Sequence, residues 1–468
     1  MIAHFLLPLI PPILPTDPRI VTVGRFDRTD PATIACQWPA SEVRLRVKGA
    51  MLGVSADDSG KNLWQVVVDG KPTEVLALKS GPNDYLVSLG SDAIHDVSLV
   101  KRTESFVGTT RFSGFDVPAG GLFQAKRRSR LIEFVGDSIT CGYGNEGASQ
   151  NEHFTPETEN AYQSYASVAG RAVGADVRLI AWSGRKMFPD NTMPEIYDRV
   201  LPTEAAPLAD PKDPVPDVVV INLATNDFGA KNPDEAPWTA AYEAFIHRVR
   251  AQYAKTQIYV TLGGMMTDDY PPQNKALSTA RGYLTRMVER IHDPKVHFVE
   301  FDRQLMEDGI GADWHPNLVT GRKMASRLLD AWEKDLHWKS KLEDPIKREA
   351  LSRPFPLIPV MVALQSPSSK SAAVGKPVPL QKSKRVQLSP RKVVVRRARV
   401  PSAKPRVVAF RPVIVRPSSA PPSGRSPATG RSNTHARHLA HKPTRLSTHS
   451  AKPHSASSSP APLRHRVH

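Results

Sequence analysis

Residues 131–140 read LIEFVGDSIT, an apolar run that stops abruptly at a glycine, an aspartate and a serine. The apolar part is typical of a buried strand in a parallel sheet, and the glycine permits a tight turn directly after it. In α/β proteins the ligand site normally forms at the carboxyl ends of the parallel strands. A hydroxyl placed there is suited to act as a nucleophile, so Ser138 is the first candidate catalytic residue.

Three downstream blocks supply the partners that a serine nucleophile needs, namely a base, donors for the oxyanion and a group that orients the base. Each block follows a strand-like run or lies in a loop near the end of the folded part. The blocks are AWSGR at 181–185, NLATND at 222–227 and GADWHPN at 311–317. The sequence therefore predicts that all four blocks return to one rim of the sheet.

Together the four blocks resemble the SGNH (GDSL-type) hydrolase family, whose blocks supply a serine, a glycine, an asparagine and a histidine in this order. The resemblance implies that Ser138 is the nucleophile and that His315 is the base. It also implies an oxyanion hole made of the backbone N–H groups of Ser138 and Gly184 and the side-chain amide of Asn226. We expect neither a metal nor a cofactor at such a site.

The fourth block departs from the family pattern, which usually places an aspartate three residues before the histidine. Ala312 occupies that position, and the nearest carboxylate is Asp313, two residues before His315. We count Asp313 as a third catalytic residue, and two alternatives stay open: a main-chain carbonyl orients the imidazole, or Asp313 binds a sugar hydroxyl. Trp182 and Trp314 lie beside two blocks and are candidates for stacking on a sugar ring, with packing in the core as the other interpretation.

The region before the hydrolase blocks resembles the amino-terminal β domain of carbohydrate esterase family 2, which deacetylates acetylated xylan and other plant-wall sugars. The matching stretches lie at 24–26, 38–39, 66–70 and 100–104, and they read GRF, WP, VVVDG and VKRTE. The resemblance covers the chain from about residue 20 to residue 340 and includes the compact Asp-Trp-His-Pro fourth block. It implies an acetylxylan esterase.

Residues 20–120 predict a β-sandwich (jelly-roll) domain, because short alternating apolar runs are separated by turn-forming residues. Val43, Leu45 and Val47 alternate with charged residues, which predicts a strand with one face exposed to water. The run at 63–68 ends at Asp69-Gly70, a signal for a β-hairpin. Additional short strands are predicted by the runs at 85–89, 97–100 and 112–117.

Residues 128–342 predict an α/β domain, because strand-like and helical patterns alternate along them. Helical periodicity appears at 161–173, 238–253 and 276–291. Strand-like apolar runs occur at 131–135, 177–181, 218–221, 258–262 and 296–301. The alternation implies a parallel sheet with helices on both faces, which is the three-layer, flavodoxin-like fold of the SGNH hydrolases.

The basic charge of the chain is concentrated in residues 346–468. That segment carries a formal charge of +24, and since the whole chain carries +17, residues 1–345 carry −7. The segment is rich in proline, serine, arginine and histidine, a composition that predicts a disordered tail. A solvated tail without a specific partner and a tail that binds an anionic polymer or surface are both open. Nucleic-acid binding is the weakest functional class, because no base-reading fold accompanies the basic tail.

Residues 1–19 form an apolar leader interrupted by prolines, without a preceding basic residue or a clear cleavage site. An atypical secretion signal and an apolar terminus without a targeting role are both open. No run in the sequence is long enough to span a membrane. Only two cysteines occur, Cys36 and Cys141, so the sequence indicates no disulfide framework, and we expect Cys141 to be a buried neighbour of the serine turn.

The leading hypothesis is a serine esterase that removes O-acetyl groups from acetylated xylan or related poly- and oligosaccharides. A general GDSL-type carboxylesterase or lipase is the alternative within the same fold, and a non-catalytic carbohydrate- or wall-binding protein is the alternative from another class. The substrate class implies secretion or a periplasmic location. The sequence leaves the oligomeric state open.

Overall fold

The computed structural model describes residues 12–118 and 120–341. The tail predicted at 346–468 and the first part of the predicted leader lie outside these residues. The described end of that leader is tied to the first domain, because Ile13 and Phe115 exchange two backbone hydrogen bonds of 2.8 and 2.9 Å. Among the described helices, none has both the length and the apolar character that a membrane span requires.

The amino-terminal domain is an antiparallel sheet of eight strands wrapped around one apolar core. Its strands are β1 (Val21–Val23), β2 (Ile34–Cys36), β3 (Glu42–Asp58), β4 (Leu63–Val68), β5 (Lys71–Ala77), β6 (Gly81–Lys101), β7 (Thr110–Asp116) and β8 (Leu122–Phe123). The predicted hairpin joins β4 to β5, where Asp69 and Gly70 have φ values of 50° and 79°. Positive φ at both central residues is the geometry of a tight hairpin turn, which explains the Asp-Gly pair.

Two of the predicted short strands are parts of one long strand. The runs at 85–89 and 97–100 both belong to β6, which pairs with β3 over nearly its whole length. A register shift between Gly49 and Met51 interrupts this pairing. The shift moves the core-facing positions of β3 from odd residues such as Val47 to even residues such as Leu52, so that both halves face the same core.

The charged face predicted on β3 is exposed only in part. Glu42 and Arg44 are buried against the second domain, where the Arg44 guanidinium binds the Glu42 carboxylate at 2.8 Å and Asp176 at 3.0 Å. Trp38 of the first domain is fully buried in the core of the second. The prediction of a wet face was therefore wrong at the start of β3, because a second domain covers it.

Replacing Arg44 by methionine should lower the free energy of unfolding by about 3 kcal/mol, because Glu42 and Asp176 would stay buried without their shared guanidinium. The matched control is Arg46→Met, two residues along the same strand, whose partner Asp96 is exposed. That change should cost less than about 1 kcal/mol. Urea denaturation of both variants measures the difference, and equal losses would contradict the buried cluster.

The second domain is a five-stranded parallel sheet in the order β10-β9-β11-β12-β13. These strands are β9 (Arg130–Gly136), β10 (Ala175–Ala181), β11 (Val218–Asn222), β12 (Gln257–Leu262) and β13 (Val296–Glu300). The chain first adds β10 on one side of β9 and then adds β11 on the other. The order of the strands thus reverses at β9, as in flavodoxin-like folds, and confirms the predicted architecture.

Helices cover both faces of the parallel sheet. They are α1 (Ser138–Cys141), α2 (Tyr165–Ala172), α3 (Glu235–Gln252), α4 (Ala276–Ile291) and α5 (Leu318–Leu336). Alternate residues of β11 enter two separate cores: Val219 packs with α3 and α4, and Val220 packs with α2 and α5. The domain therefore has three layers, as predicted.

Helix α5 is an element that the sequence analysis did not predict. Its signals are present in the sequence. Asn317 caps the helix by accepting hydrogen bonds from Val319 N and Thr320 N at 3.1 and 3.0 Å. Met324, Leu328 and Trp332 follow at helical spacing and are fully buried.

Candidate active site

The strand order places Ser138 at the switch point of the sheet. Ser138 is the first residue of α1, directly beyond the carboxyl end of β9, and β11 runs alongside β9. The turn needs a glycine at position 136, since a Cβ there would lie 2.1 Å from Thr140 Oγ1. Asp137 caps α1 by accepting a hydrogen bond from Ile139 N at 3.1 Å. This turn presents the hydroxyl of Ser138 at the rim where α/β sheets bind ligands.

His315 lies near the carboxyl-terminal end of the second domain, just before α5, and its side chain contacts Ser138. Its Nε2 lies 2.8 Å from Ser138 Oγ. Its Nδ1 lies 3.0 Å from the carbonyl oxygen of Asp313 and 3.3 Å from that of Ala312. Because a carbonyl only accepts hydrogen bonds, Nδ1 carries the proton and Nε2 is left to accept the proton of the serine hydroxyl. The imidazole is thus held in the tautomer of a general base.

The carboxylate of Asp313 does not orient His315, contrary to the prediction that counted it as a third catalytic group. It accepts hydrogen bonds of 2.9 Å from Tyr143 Oη, His153 Nδ1 and Phe154 N. The reason lies in the backbone, because Asp313 has φ 48° and ψ 41°. This left-handed conformation turns the carbonyl of Asp313 toward the imidazole, while its side chain ties down the loop at 143–154. The alternative of an orienting main-chain carbonyl matches the observed geometry.

The second and third blocks meet the first through Asn226. Its Nδ2 donates to the carbonyl oxygen of Arg185 at 3.0 Å and to Asp137 Oδ2 at 3.3 Å. Gly184, next to Arg185, has φ 78°, which favours glycine, and a Cβ there would meet nothing within 4 Å. The predicted residues of the serine, glycine, asparagine and histidine blocks therefore gather at one place.

Asp227 is a site residue whose role the sequence analysis did not assign. Its carboxylate accepts hydrogen bonds from Met187 N, Phe188 N and Trp238 Nε1, at 3.0, 2.9 and 2.8 Å. Burial raises the pKa of Asp227 to about 6. The residue ties the third block to the chain that follows Gly184. Its position directly after Asn226 was the only signal in the sequence.

Burial also changes the acid–base properties of two groups at the serine. It lowers the pKa of His315 to about 4, although the two carbonyl contacts at Nδ1 oppose this change. It raises the pKa of Asp137 to about 7. The imidazole is therefore neutral at neutral pH, as a general base must be.

Aromatic side chains line the approach to His315. The ring centroid of Tyr143 lies 4.2 Å from that of the His315 imidazole and 4.5 Å from that of Phe154, on which Tyr143 stacks. The ring centroid of Phe154 lies 5.3 Å from that of Phe106. Phe106 belongs to the first domain and is 46% exposed. These three rings form a row, called the aromatic row below, that leads from the first domain to the imidazole.

The two predicted sugar-binding tryptophans differ in exposure. Trp314 is 52% exposed, which leaves a ring face free for a ligand. Trp182 is half-buried against a core cluster, and the Arg185 guanidinium lies 4.9 Å from its ring centroid.

A cavity of about 750 Å³ lies at the opposite, amino-terminal edge of the parallel sheet. Arg28, Arg127, Asp213 and Asp217 are among its lining residues. Among the described residues that line this cavity there is no histidine. The candidate site is therefore assigned by the serine–histidine contact rather than by cavity size.

Two family models match the chain. Residues 22–125 match the model described as "Carbohydrate esterase 2 N-terminal". Residues 134–319 match the model of the "GDSL-like Lipase/Acylhydrolase family". The two matches cover the antiparallel and the parallel sheet in turn.

Curated relatives are named as carbohydrate-active enzymes. "Cellulase/esterase CelE" of Acetivibrio thermocellus is 38% identical over 333 residues, which cover 69% of this chain and 40% of CelE. An "Acetylxylan esterase / glucomannan deacetylase" of Cellvibrio japonicus is 28% identical over 322 residues, which cover 64% of this chain and 85% of that protein. The chain thus spans less than half the length of CelE.

Solved structures give a closer match in length. A family two carbohydrate esterase from Clostridium thermocellum, solved in complex with cellohexaose, is 37% identical with a TM-score of 0.64, and the match covers 68% of this chain and 99% of that one. A family 2 enzyme from Corynascus thermopiles, solved with a carbohydrate-binding domain, is 28% identical with a TM-score of 0.61. The match covers 68% of this chain and 100% of that one.

The fold and the paired serine and histidine define an SGNH hydrolase. The antiparallel domain that precedes the hydrolase domain identifies the family within the SGNH hydrolases. The chain belongs to family two of the carbohydrate esterases.

Proposed function

We propose that this protein is an acetylxylan esterase, which removes O-acetyl groups from acetylated xylan or related poly- and oligosaccharides. The observation that carries the proposal is the 2.8 Å contact between His315 Nε2 and Ser138 Oγ, with Nδ1 held by a carbonyl. The family and the names of the relatives support the substrate class. The polymeric substrate further supports a location outside the cytoplasm.

The first step is attack of Ser138 on the ester carbonyl. His315 Nε2 takes the hydroxyl proton as the Ser138 oxygen bonds to the carbonyl carbon. The oxyanion is stabilised by the backbone N–H groups of Ser138 and Gly184 and by Asn226 Nδ2. Asn226 exchanges its longer hydrogen bond, the 3.3 Å contact with Asp137, for one with the oxyanion. Each such donor contributes about 3 kcal/mol to the barrier reduction.

The second half of the reaction uses the same imidazole. Protonated His315 gives its proton to the sugar alkoxide as the tetrahedral intermediate collapses to an acetyl-serine. A water molecule then loses a proton to Nε2 as its oxygen bonds to the acyl carbon. The second tetrahedral intermediate collapses as the bond to Ser138 Oγ breaks, the imidazolium returns the proton to Oγ, and acetic acid leaves and ionises to acetate in solution. The carbonyl of Asp313 stabilises the imidazolium in both halves by accepting from Nδ1.

The sugar binds, in this proposal, across the rim between Trp314 and the aromatic row. Trp314 offers its exposed ring face to a pyranose, and Phe106 brings the first domain into contact with the substrate. Trp182 has a smaller role, because it is half-buried and already lies beside Arg185.

Acetate release from acetylated xylan tests the proposal, with para-nitrophenyl acetate and para-nitrophenyl octanoate measured beside it. We expect release from xylan that depends on Ser138 and little turnover of the octanoate. Turnover of octanoate without xylan deacetylation would move the assignment to a general carboxylesterase or lipase. Binding of xylan without any serine-dependent hydrolysis would indicate a carbohydrate-binding protein.

The low pKa of His315 predicts an unusually acid-tolerant enzyme. In the free enzyme kcat/KM should fall only as the pH drops through about 4, because protonation of the imidazole removes the general base. We expect kcat/KM for para-nitrophenyl acetate at pH 5.5 to stay close to its value at pH 7. The measurement is a profile of kcat/KM from pH 3 to pH 8.

The control for this profile is Asp137→Asn. It removes the neighbouring carboxyl, whose pKa is about 7, while asparagine still caps α1. The acid limb near pH 4 should persist in this variant. A limb near pH 6.5 in both proteins would show that the imidazole is not desolvated in solution.

A further inference from the structure

The segment between β6 and β7 carries a carboxylate of the first domain into the second. This segment spans residues 102–109, and Glu104 lies in it fully buried. The Glu104 carboxylate accepts a 2.7 Å hydrogen bond from Ser183 N and a further hydrogen bond from Ser183 Oγ. Ser183 directly precedes Gly184. A residue of the antiparallel domain thus holds the backbone next to the proposed oxyanion donor.

A second buried carboxyl group supports Glu104. Glu159, also fully buried, accepts a 2.9 Å hydrogen bond from Glu104 N through Oε2. The side chains of Glu104 and Glu159 also approach each other, with carboxyl oxygens within 4.8 Å. Two buried carboxylates this close repel each other, which disfavours the ionised form of each. Burial raises the pKa of both groups.

Three further titratable groups lie around the pair. The buried Lys101 ammonium donates to Thr103 O at 2.7 Å and to Glu104 O at 3.2 Å, which places a cation beside the pair. Cys141 Sγ lies 3.7 Å from Glu104 Oε2, and burial raises the pKa of this thiol, so it stays neutral. Asp137 is a third carboxyl group whose charge raises the pKa of Cys141, and burial raises the pKa of Asp137 itself.

Glu104, Cys141 and Glu159 also have the atoms of a metal site, within 4.8 Å of one another. Two features argue against a bound cation. Both oxygens of Glu104 already accept from Ser183, and the Lys101 ammonium would repel a second positive charge. The arrangement is therefore better suited to fix a loop than to bind an ion.

We propose that Glu104 is a positioning residue for ester hydrolysis: braced by Glu159, it fixes Ser183 so that the N–H of Gly184 points at the oxyanion. The inference rests on the proposed acyl-serine chemistry but not on the identity of the sugar. It means that the antiparallel domain contributes a positioning residue to the active site.

Glu104→Ala is the main test, with kcat and KM measured on para-nitrophenyl acetate. We expect kcat to fall about tenfold to a hundredfold with KM changed less than threefold, because the oxyanion donor acts mainly in the transition state. The control is Thr103→Val in the same segment. It removes the buried hydrogen bond to Asn62 Oδ1 and the 3.3 Å hydrogen bond from Lys101 Nζ, which keeps its 2.7 Å bond to Thr103 O, so it should lower stability without lowering kcat.

Two isosteric variants keep the test decisive if Glu104→Ala does not fold. Glu104→Gln retains one acceptor for Ser183 N and should lower kcat severalfold. Glu159→Gln keeps a side-chain oxygen to accept from Glu104 N and should keep kcat near that of the wild type.

Several outcomes would overturn the inference. An unchanged kcat in Glu104→Ala or Glu104→Gln would overturn it. A fall of kcat in Thr103→Val that accompanies its loss of stability would also overturn it. Inactivation of the wild type by dialysis against EDTA would instead make the cluster a metal site. Failure of the wild type on acetylated xylan, with para-nitrophenyl acetate still hydrolysed, would refute only the proposed substrate and leave the Glu104 comparison valid.

Discussion

Replacement of Ser138 by alanine should reduce kcat on every ester by about 10⁴-fold or more, the scale of loss seen when a serine nucleophile is removed. The reason is that His315 Nε2 lies 2.8 Å from Ser138 Oγ, and among the described residues no other hydroxyl or thiol is hydrogen-bonded to this imidazole. Hydrolysis of para-nitrophenyl acetate and deacetylation of xylan should be lost together.

The fold should survive this change. The helix that starts at Ser138 is capped by the side chain of Asp137, so removal of the hydroxyl leaves the cap intact. We expect the free energy of unfolding to change by less than about 1 kcal/mol. Labelling with a fluorophosphonate should mark Ser138 in the wild type and fail in the variant. A label on Ser183 instead would contradict the assignment of the nucleophile.

Replacement of His315 by alanine should cost nearly as much as loss of the serine, about 10³-fold or more in kcat. The double variant with Ser138→Ala should be about as slow as Ser138→Ala alone, because the two residues act as one unit. Kinetics on para-nitrophenyl acetate test this expectation. Losses that multiply in the double variant would show that the two groups act independently.

Asp313→Asn, measured beside His315→Ala, tests whether the carboxylate of Asp313 is needed to hold the imidazole. Where a carboxylate holds the catalytic imidazole, the corresponding change costs about 10⁴-fold in kcat. Here we expect less than a tenfold loss, because the backbone carbonyl of Asp313 remains and asparagine tolerates the left-handed conformation. A loss as large as that of His315→Ala would show that the carboxylate is indispensable.

Much of the parallel domain follows from local patterns in the sequence. Each of its five strands was predicted to within a few residues, because each is a short run rich in apolar residues. Strands β9 to β12 are buried along most of their length, and β13 at the edge of the sheet is partly buried. The hairpin at Asp69-Gly70 was predicted for a similar reason, since the turn depends on its own two residues. Helix α5 was missed although its cap and its apolar stripe are local signals.

The antiparallel domain was harder to predict from its sequence. The two halves of β6 were read as separate strands, because the turn-like residues between them give the same local pattern as a loop. Pairing with β3 keeps them in one strand. The burial of Glu42 and Arg44 also depends on a partner, Asp176, more than 130 residues away.

The four blocks and their order can be recognised from the sequence, because residues that directly follow a parallel strand lie at one rim of the sheet, and three of the blocks follow β9, β10 and β11 in this way. The tertiary structure alone decided how the side chains are used there. It turned the carbonyl of Asp313, and not its carboxylate, toward His315, and it brought Glu104 to Ser183. The physical reason is that these contacts depend on backbone dihedral angles and on residues that are distant along the chain, neither of which leaves a periodic pattern in the sequence.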